Sequence, residues 1–514
     1  MPTIAKSNFN LVCSLLGGFA LLFAFVSYLV KDKLFISEPL PSLIFGAIFR
    51  GAGLFRPEQY GSDPEVITRE FTRVVLGAQL ILAGIELPAK YLKMEWKSLF
   101  MLLVPVMSTM WIVSALIIWL CIPNLRYLDA LVIASCVTPT DPVLSNSLVK
   151  GKFSEEYISE PLRNIISAES GANDGFGYPF LFLALFIQRD KGAVVLKDWV
   201  IETVIYQILL SCAYGVVVGY VTLLVLRFCK ERDLVDKDSF LFVSFPLAIF
   251  IVGTAGLFGT DDLLACFIAG NLFTCDWFRV ETEHSHVASV IDMMLNVGVF
   301  VWIGAVSPWH EFSTREVPVW RYIVMGIAIL LFRRLPVMML TYKAIPRVAD
   351  AKEAFFIGFF GPIGVGAVFY LQVSLDTLLT YTQDEHVLYL QKILPPVIYF
   401  LVISSVVVHG LAVPIGVYGL HFPKKIMLSL SRFSTLSLSR NLTKAASAST
   451  PRPTRTIPAT IEDAVYGFPS SSSRSAHRPN TENANEDSSV GSVELIEREI
   501  AWRLSHPKHK SIVD

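Results

Sequence analysis

The chain has 514 residues, 53% of them hydrophobic and 17% charged, with a net charge of −1 and a mean hydropathy of +0.54. Soluble proteins carry about 25% charged residues, so water is not the solvent for most of this surface. A secreted disulfide scaffold, a nucleic-acid binder and an ordinary cytosolic enzyme are excluded.

Apolar segments of helical length fall, in chain order, at 11–30, 34–55, 71–90, 97–121, 127–149, 160–188, 199–228, 239–258, 262–276, 286–305, 319–342, 353–375 and 388–422. A bilayer crossing takes about 20 apolar residues. The expected fold is therefore an all-α polytopic membrane protein of about 13 transmembrane helices. The first segment lacks a strongly basic start and a clear cleavage site, so it reads as a spanning helix rather than a signal peptide. The seven cysteines lie in or beside apolar segments without zinc-like spacing, and read as small buried hydrophobes.

Alternate loops differ in charge. One set holds Lys31 and Lys33; Lys90, Lys93 and Lys97; Lys150 and Lys152; Arg227, Lys230, Arg232 and Lys237; Lys343, Arg347 and Lys352. The other set is poorer, and 376–387 carries Asp376, Asp384 and Glu385. The basic set should be cytoplasmic, which puts the N-terminus outside and the C-terminus inside. The organisation expected is a transmembrane domain over 1–423 and a mostly disordered cytoplasmic tail over 445–514, rich in Ser, Pro, Thr and Asn. Residues 424–444 mix Lys424, Lys425 and Arg432 with Ile426, Leu428 and Phe433. They read either as an amphipathic helix on the inner leaflet or as the start of that tail.

Ionisable groups inside spans are costly, about 2.5 to 3.5 kcal/mol at the centre on the mildest scale, and mark pathways. In Thr-Pro-Thr-Asp-Pro at 138–142, two prolines remove N–H donors and should break the helix. Asp141 then either lines a cavity with freed carbonyls or caps the second half-helix; both readings are compatible. A second break is expected at Gly-Pro-Ile-Gly-Val-Gly, 361–366, the alternative being close packing of small residues against a neighbour.

In Glu-Ser-Gly-Ala-Asn-Asp-Gly, 169–175, Ser170 and Asp174 are four apart and share a helix face, offering a hydroxyl and a carboxylate to one small ion. Glu169 points elsewhere and needs a partner, for which Arg334 is the obvious choice. Glu86 and Asp292 are either interfacial acids or further oxygen ligands. Asp261 and Asp262 read as an outward acidic funnel or, more simply, as a helix start.

Oxygen donors suit hard cations, and there is no Walker A motif, phosphate loop or His/Cys cluster. No cofactor, enzymatic activity or ATP-driven pumping is expected. A carboxylate out of water holds its proton more tightly, whereas a bound cation favours the charged form. Proton and cation would compete for Asp174, assisted by Asp141.

The two motifs at 138–144 and 169–175 together resemble the monovalent cation:proton antiporter family, and more narrowly the fungal plasma-membrane Na⁺/H⁺ antiporters, over about residues 10–422. The resemblance implies 13 spans divided into a core and a dimerisation domain, two crossing unwound helices, elevator-like alternating access and a homodimer in the plasma membrane. It implies Na⁺ and Li⁺, in some members K⁺, exchanged for H⁺. Carried over by position, Asp174 is the ion- and proton-binding carboxylate beside Asn173. Thr140 and Asp141 form the unwound pair, and Glu169 and Ser170 precede the Asn-Asp. Glu86 corresponds to the early acidic ligand, and Arg334 is the partner of Glu169, with Arg333 adjacent. Animal relatives carry an arginine in the late broken helix, where this chain reads Gly-Pro-Ile-Gly-Val-Gly. Pro142, next to Asp141, sits where backbone geometry tunes ion size and is the expected selectivity position. Two competing classes are a cation channel and an intramembrane aspartyl protease using Asp141 and Asp174. The chain has neither a ring of like charges nor the Gly-x-Gly-Asp motif of such proteases.

Overall fold

A computed structural model describes residues 8–54, 63–149, 158–190, 192–235, 242–273, 287–381 and 384–446. Among these every regular element is a helix and none is a strand. The chain forms two units, Met1–Arg432 and Phe433–Asp514. In the second, the described residues are the end of a helix that stops at Ala446, so the tail expected over 445–514 lies outside the described residues from 447 on.

The helices that matter are α1 (Asn8–Tyr28), α2 (Pro39–Gly51), α3 (Pro64–Glu86), α4 (Trp96–Cys121), α5 (Tyr127–Val137), α6 (Pro142–Val149), α7 (Glu160–Gly175), α8 (Tyr178–Arg189), α9 (Ala193–Glu231), α10 (Ser244–Phe258), α11 (Asp262–Phe273), α12 (Val287–Val306), α13 (Val319–Phe332), α14 (Leu335–Thr341), α15 (Ala351–Phe359), α16 (Val365–Leu379) and α17 (Glu385–Ala446). Their starts follow local chemistry. Asp63 caps α3 by accepting from the Glu65 N–H at 2.9 Å, with Pro64 in the first turn, where its missing N–H costs nothing. Prolines also open α2, α7, α8 and α14.

Every apolar segment read from the sequence carries helix, but not always one helix. Five stretches among the described residues are long and apolar enough to cross a bilayer unaided: Asn10–Lys31, Trp96–Cys121, Ala193–Glu231, Val319–Ala344 and Glu385–Ile415. Segment 160–188 is split between α7 and α8 around Gly177, ahead of Pro179. Segment 319–342 is interrupted at Arg333-Arg334, ahead of Pro336. Proline explains both interruptions: it removes one ladder donor and crowds the carbonyl four residues back.

The outer faces are apolar. Leu257 and Leu340 are 87% and 83% exposed, and Phe25, Leu22 and Trp320 point outward as well, as a hydrocarbon solvent requires. The same solvent corrects one expectation: Cys136 and Cys266 are buried, but Cys13 is exposed and Cys121, Cys212 and Cys229 are half-buried. In lipid a thiol gains little from being inside. Small residues set the inner packing. A Cβ on Gly84 of α3 would lie 2.6 Å from the Phe267 carbonyl oxygen and 2.8 Å from the Asn271 amide nitrogen of α11, so those two backbones touch.

Candidate ion-binding site at two facing helix breaks

The α5–α6 and α15–α16 interruptions lie against each other. Asp141 donates its backbone N–H to the Pro362 carbonyl at 3.0 Å, tying one break to the other. Its side chain serves both starts: Oδ1 accepts from the N–H groups of Val143 (2.7 Å) and Leu144 (3.2 Å), and Oδ2 accepts from the Val365 N–H at the head of α16. Asp141 thus caps both half-helices, its carboxyl group set at two helix N-termini. The opposite ends are met by Arg333, which donates to the Val137 carbonyl at the end of α5 and to the Gly361 carbonyl in the second break.

The glycines of 361–366 serve the break and the packing together, because the neighbours they approach are the carboxylates. A Cβ at Gly364 would run into the Asp141 carboxylate, and one at Gly366 would sit 2.6 Å from Asp174 Oδ1. Ser405 on α17 accepts the Ile363 N–H at 2.7 Å, and His409 bonds the Phe359 carbonyl that ends α15 at 3.1 Å. The freed backbone groups of the break are therefore satisfied by side chains.

Helix α7 supplies the other half. Asn173 donates from Nδ2 to Thr140 Oγ1 at 2.8 Å and accepts the Thr140 N–H at 3.2 Å, so its carboxamide staples the unwound stretch. Glu169 is paired with Arg334 through both terminal guanidinium nitrogens, at 2.5 and 2.7 Å, with both residues buried. Arg334 also donates from Nε to the Ile357 carbonyl at 2.8 Å, which fixes α14 to α15. The Ser170 hydroxyl donates to the Ile166 carbonyl at 2.9 Å, so its proton is spent inside α7 while its lone pairs stay available. Asp174 differs from all of these. It is 1% exposed, and neither carboxylate oxygen has a hydrogen-bond partner. Tyr370 on α16 donates its hydroxyl to the backbone carbonyl of Asp174, leaving the side chain alone.

The remaining acids fall into separate places. Glu86 is the last residue of α3 and is half-buried. Asp262 begins α11 and pairs with Arg73 at 2.5 Å, and Asp261 caps that helix by accepting the Leu264 N–H at 3.0 Å. Asp292, on α12, accepts from Gln79 Nε2 at 3.3 Å. Pro142 opens α6 directly beside Asp141. A cavity of about 560 Å³ lined by Asp63, Glu65, Gln372, Gln391 and Tyr399 touches neither Asp141 nor Asp174. Tyr370, Ser405 and His409 have no role in the sequence reading, and Arg333 enters it only as the neighbour of Arg334. Each offered one signal, a polar group in an apolar span that needs a partner, but nothing in the chain order says which.

The family model described as "Sodium/hydrogen exchanger, transmembrane" matches residues 21–417. The chain is 37% identical over 438 residues to a Na⁺/H⁺ antiporter of Saccharomyces cerevisiae, with 81% of the chain and 44% of that protein aligned. It is 34% identical over 451 residues to a Na⁺/H⁺ antiporter of Schizosaccharomyces pombe, covering 84% of the chain and 92% of that protein. It spans 44%, 54% and 66% of the length of three other curated relatives, the first being the S. cerevisiae protein. The fold is similar to that of the sodium proton antiporter MjNhaP1 from Methanocaldococcus jannaschii, with a TM-score of 0.59 at 15% identity, over 79% of this chain and 97% of that one.

Proposed function

The chain belongs to the sodium/hydrogen exchanger family, and on that premise we propose that it is a secondary antiporter exchanging Na⁺ for H⁺ at Asp174, with Li⁺ and K⁺ as further substrates. The observation that carries the reading is the pair of partnerless, buried oxygens on Asp174. A bare carboxylate in such a place costs several kcal/mol, on the order of the penalty for any unpaired buried ion. Two ligands relieve that cost: a proton, which neutralises the group, and a small hard cation, which pairs with it. One carboxylate cannot hold both, so loading by one expels the other.

The surrounding groups have distinct roles. Asp141, Thr140 and Ser170 offer oxygen lone pairs to the cation. Asn173 holds Thr140 in its unwound conformation, and the Glu169–Arg334 pair braces α7 against α14. Two crossing breaks leave helix ends that hold the ion within a mobile core domain, in keeping with elevator-like alternating access. Operation as a homodimer at the plasma membrane, with the C-terminus cytoplasmic, is part of the same reading, as is a contribution from Glu86. Asp261 and Asp262 serve as acids along the pathway in it.

A cation channel is the second class. An occluded carboxylate with unmet oxygens favours exchange, because a conducting path needs weak sites in continuous contact with water. An aspartyl protease needs two carboxylates sharing a proton, but three acceptor sites of Asp141 are taken by backbone N–H groups and no hydrogen bond joins it to Asp174. Purified protein in proteoliposomes tests the proposal. A sodium gradient should drive proton movement in wild type and none in Asp174→Asn. Sodium conductance without proton coupling would indicate a channel, and coupled exchange surviving in Asp174→Asn would overturn the assignment of the site.

A further inference from the structure

The cavity of about 560 Å³ is formed by α3, α12, α16, α17 and the segment that joins α12 to α13. Its rim is acidic. Asp63 and Glu65 stand at the head of α3, and Glu311 and Glu316 on the segment before α13; all four are exposed. Among the lining residues one base answers them, Lys392 on α17, and it is bound to Glu316 at 2.8 and 2.9 Å. The floor is buried: Thr68 is 1% exposed, and Gln372 and Tyr399 are each 5% exposed. Burial thus deepens from a charged mouth to a neutral polar floor.

Gln372 is the unusual member of that floor. It lines the cavity from α16, yet its carboxamide makes no hydrogen bond to any described residue, where a buried polar group normally has a partner. Thr68 beside it is occupied, donating to the Pro64 carbonyl at 2.6 Å and accepting from Trp302 Nε1 at 2.9 Å. With no partner fixing either end, the Gln372 carboxamide is free to turn its oxygen into the cavity, and such an oxygen suits a hard cation. Two helices carry the floor on to the ion site. On α16, Gly366, whose Cβ would meet Asp174, is six residues from Gln372, about 9 Å along the axis at the rise of a helix. On α17, Ser405, which accepts the Ile363 N–H in the second break, is six residues from Tyr399.

We propose that this cavity is the external vestibule of the exchanger, a site for a hydrated alkali cation, and that Gln372 is the donor through which the ion passes between vestibule water and the carboxylates at the breaks. The proposal rests on the antiport reading and adds to it a site on the outer face. The three segments at the mouth, ahead of α3, α13 and α17, all belong to the poorer set of alternate loops, which the loop charges put outside. The volume far exceeds that of one bare ion, so the rim carboxylates act on a hydrated cation at a distance. Acidic walls of low dielectric raise the local cation concentration, and salt screens that field over about 8 Å at physiological ionic strength. Lys392 neutralises Glu316, so the mouth attracts cations without trapping one. Exchange of water for a protein oxygen is left to Gln372 and the site beyond it.

The test is the sodium dependence of exchange by the full chain, reconstituted in one orientation with sodium varied on one face at a time. Gln372→Leu should raise the KM for external sodium at least threefold and leave the KM for cytoplasmic sodium unchanged. Gln372→Glu, which keeps an oxygen at the same reach, should hold the external KM at or below the wild-type value. The double change Glu65→Gln with Glu311→Gln should raise the external KM in low-salt buffer, and its difference from wild type should vanish in concentrated choline chloride, where the wall charges are screened. A structural defect would not show that salt dependence, so the double variant carries the test if Gln372→Leu is not recovered as folded protein. A wild-type external KM in the double variant at low salt overturns the vestibule. So does a shift of equal size on both faces, or one confined to the cytoplasmic face. Wild-type vesicles with no exchange at all would instead remove the antiport reading beneath it.

Discussion

Two buried carboxylates on neighbouring elements behave differently because their oxygens are differently occupied. Asp141 accepts three backbone N–H groups at the heads of two half-helices, whereas Asp174 accepts none. The first has its oxygens occupied by backbone N–H groups and the second is left open to a ligand. Glu169 is a third case, a buried acid neutralised by Arg334 at 2.5 and 2.7 Å. Removing one member of such a pair strands the other, at a cost of about 3–5 kcal/mol. Glu169→Ala should therefore lower the unfolding temperature of the detergent-purified protein sharply. The exchange Glu169→Arg with Arg334→Glu should recover part of that loss, and additive effects of the two single changes would show that the pair is not coupled. Pro142 removes a donor beside Asp141 and sets where α6 begins. Pro142→Ser should shift the Na⁺/K⁺ preference in an ion-specific transport assay, and an unchanged preference would count against its place as a selectivity position.

At the scale of elements, the site exists because two broken helices meet. Each break leaves carbonyls without intrahelical partners, and Arg333 serves one from each: Val137 at the end of α5 and Gly361 past the end of α15. A charged donor to a carbonyl is worth about 1.5–3 kcal/mol, and here two such bonds sit where both helix dipoles are negative. Arg333→Gln should thus lower thermal stability and slow exchange together, even though residue 333 touches no ion ligand. A variant with wild-type melting and wild-type rate would show that the crossing closes without it. This also bears on the arginine that animal relatives carry in the late broken helix. Here the cation at the crossing comes from the α13–α14 junction, and the late break is left free to be glycine. Those glycines allow α16 to approach so closely that a Cβ at 364 or 366 would meet a carboxylate.

For the whole molecule, the residues that the family model matches all lie in the helical unit. The family model ends at residue 417, and the fold shared with a solved antiporter covers 79% of the chain. Deleting residues 447–514 should leave sodium-driven proton movement in proteoliposomes at its full-length rate; loss of exchange would assign the tail a direct part in transport. The bilayer explains why so few helices look like complete spans. Among the described residues five long stretches pass on length and composition; the helices broken at 138–142 and 361–366 are shorter, and their freed backbone is satisfied by neighbours rather than by their own ladder.

Composition, hydropathy and proline placement determined a great deal from the sequence alone. They established that the chain is helical and membrane-borne, that 138–142 and 361–366 interrupt their helices, and that 169–175 sets the Ser170 hydroxyl and the Asp174 carboxylate at helical spacing. These are local properties, dictated by transfer energies and by the missing N–H of proline. The assignment of Glu169 to Arg334 also followed from the sequence, because a buried acid has few possible partners when buried bases are scarce. Tertiary structure decided the rest. Nothing local says that Asp141 caps α16 as well as α6, that Arg333 rather than a late-helix arginine closes the crossing, or that Gln79 joins Asp292 to Asn296. Those contacts link residues more than a hundred positions apart or bridge separate helices. Hydrogen bonds depend on distances that only the packed helices set, whereas periodicity and composition report only what each segment does by itself.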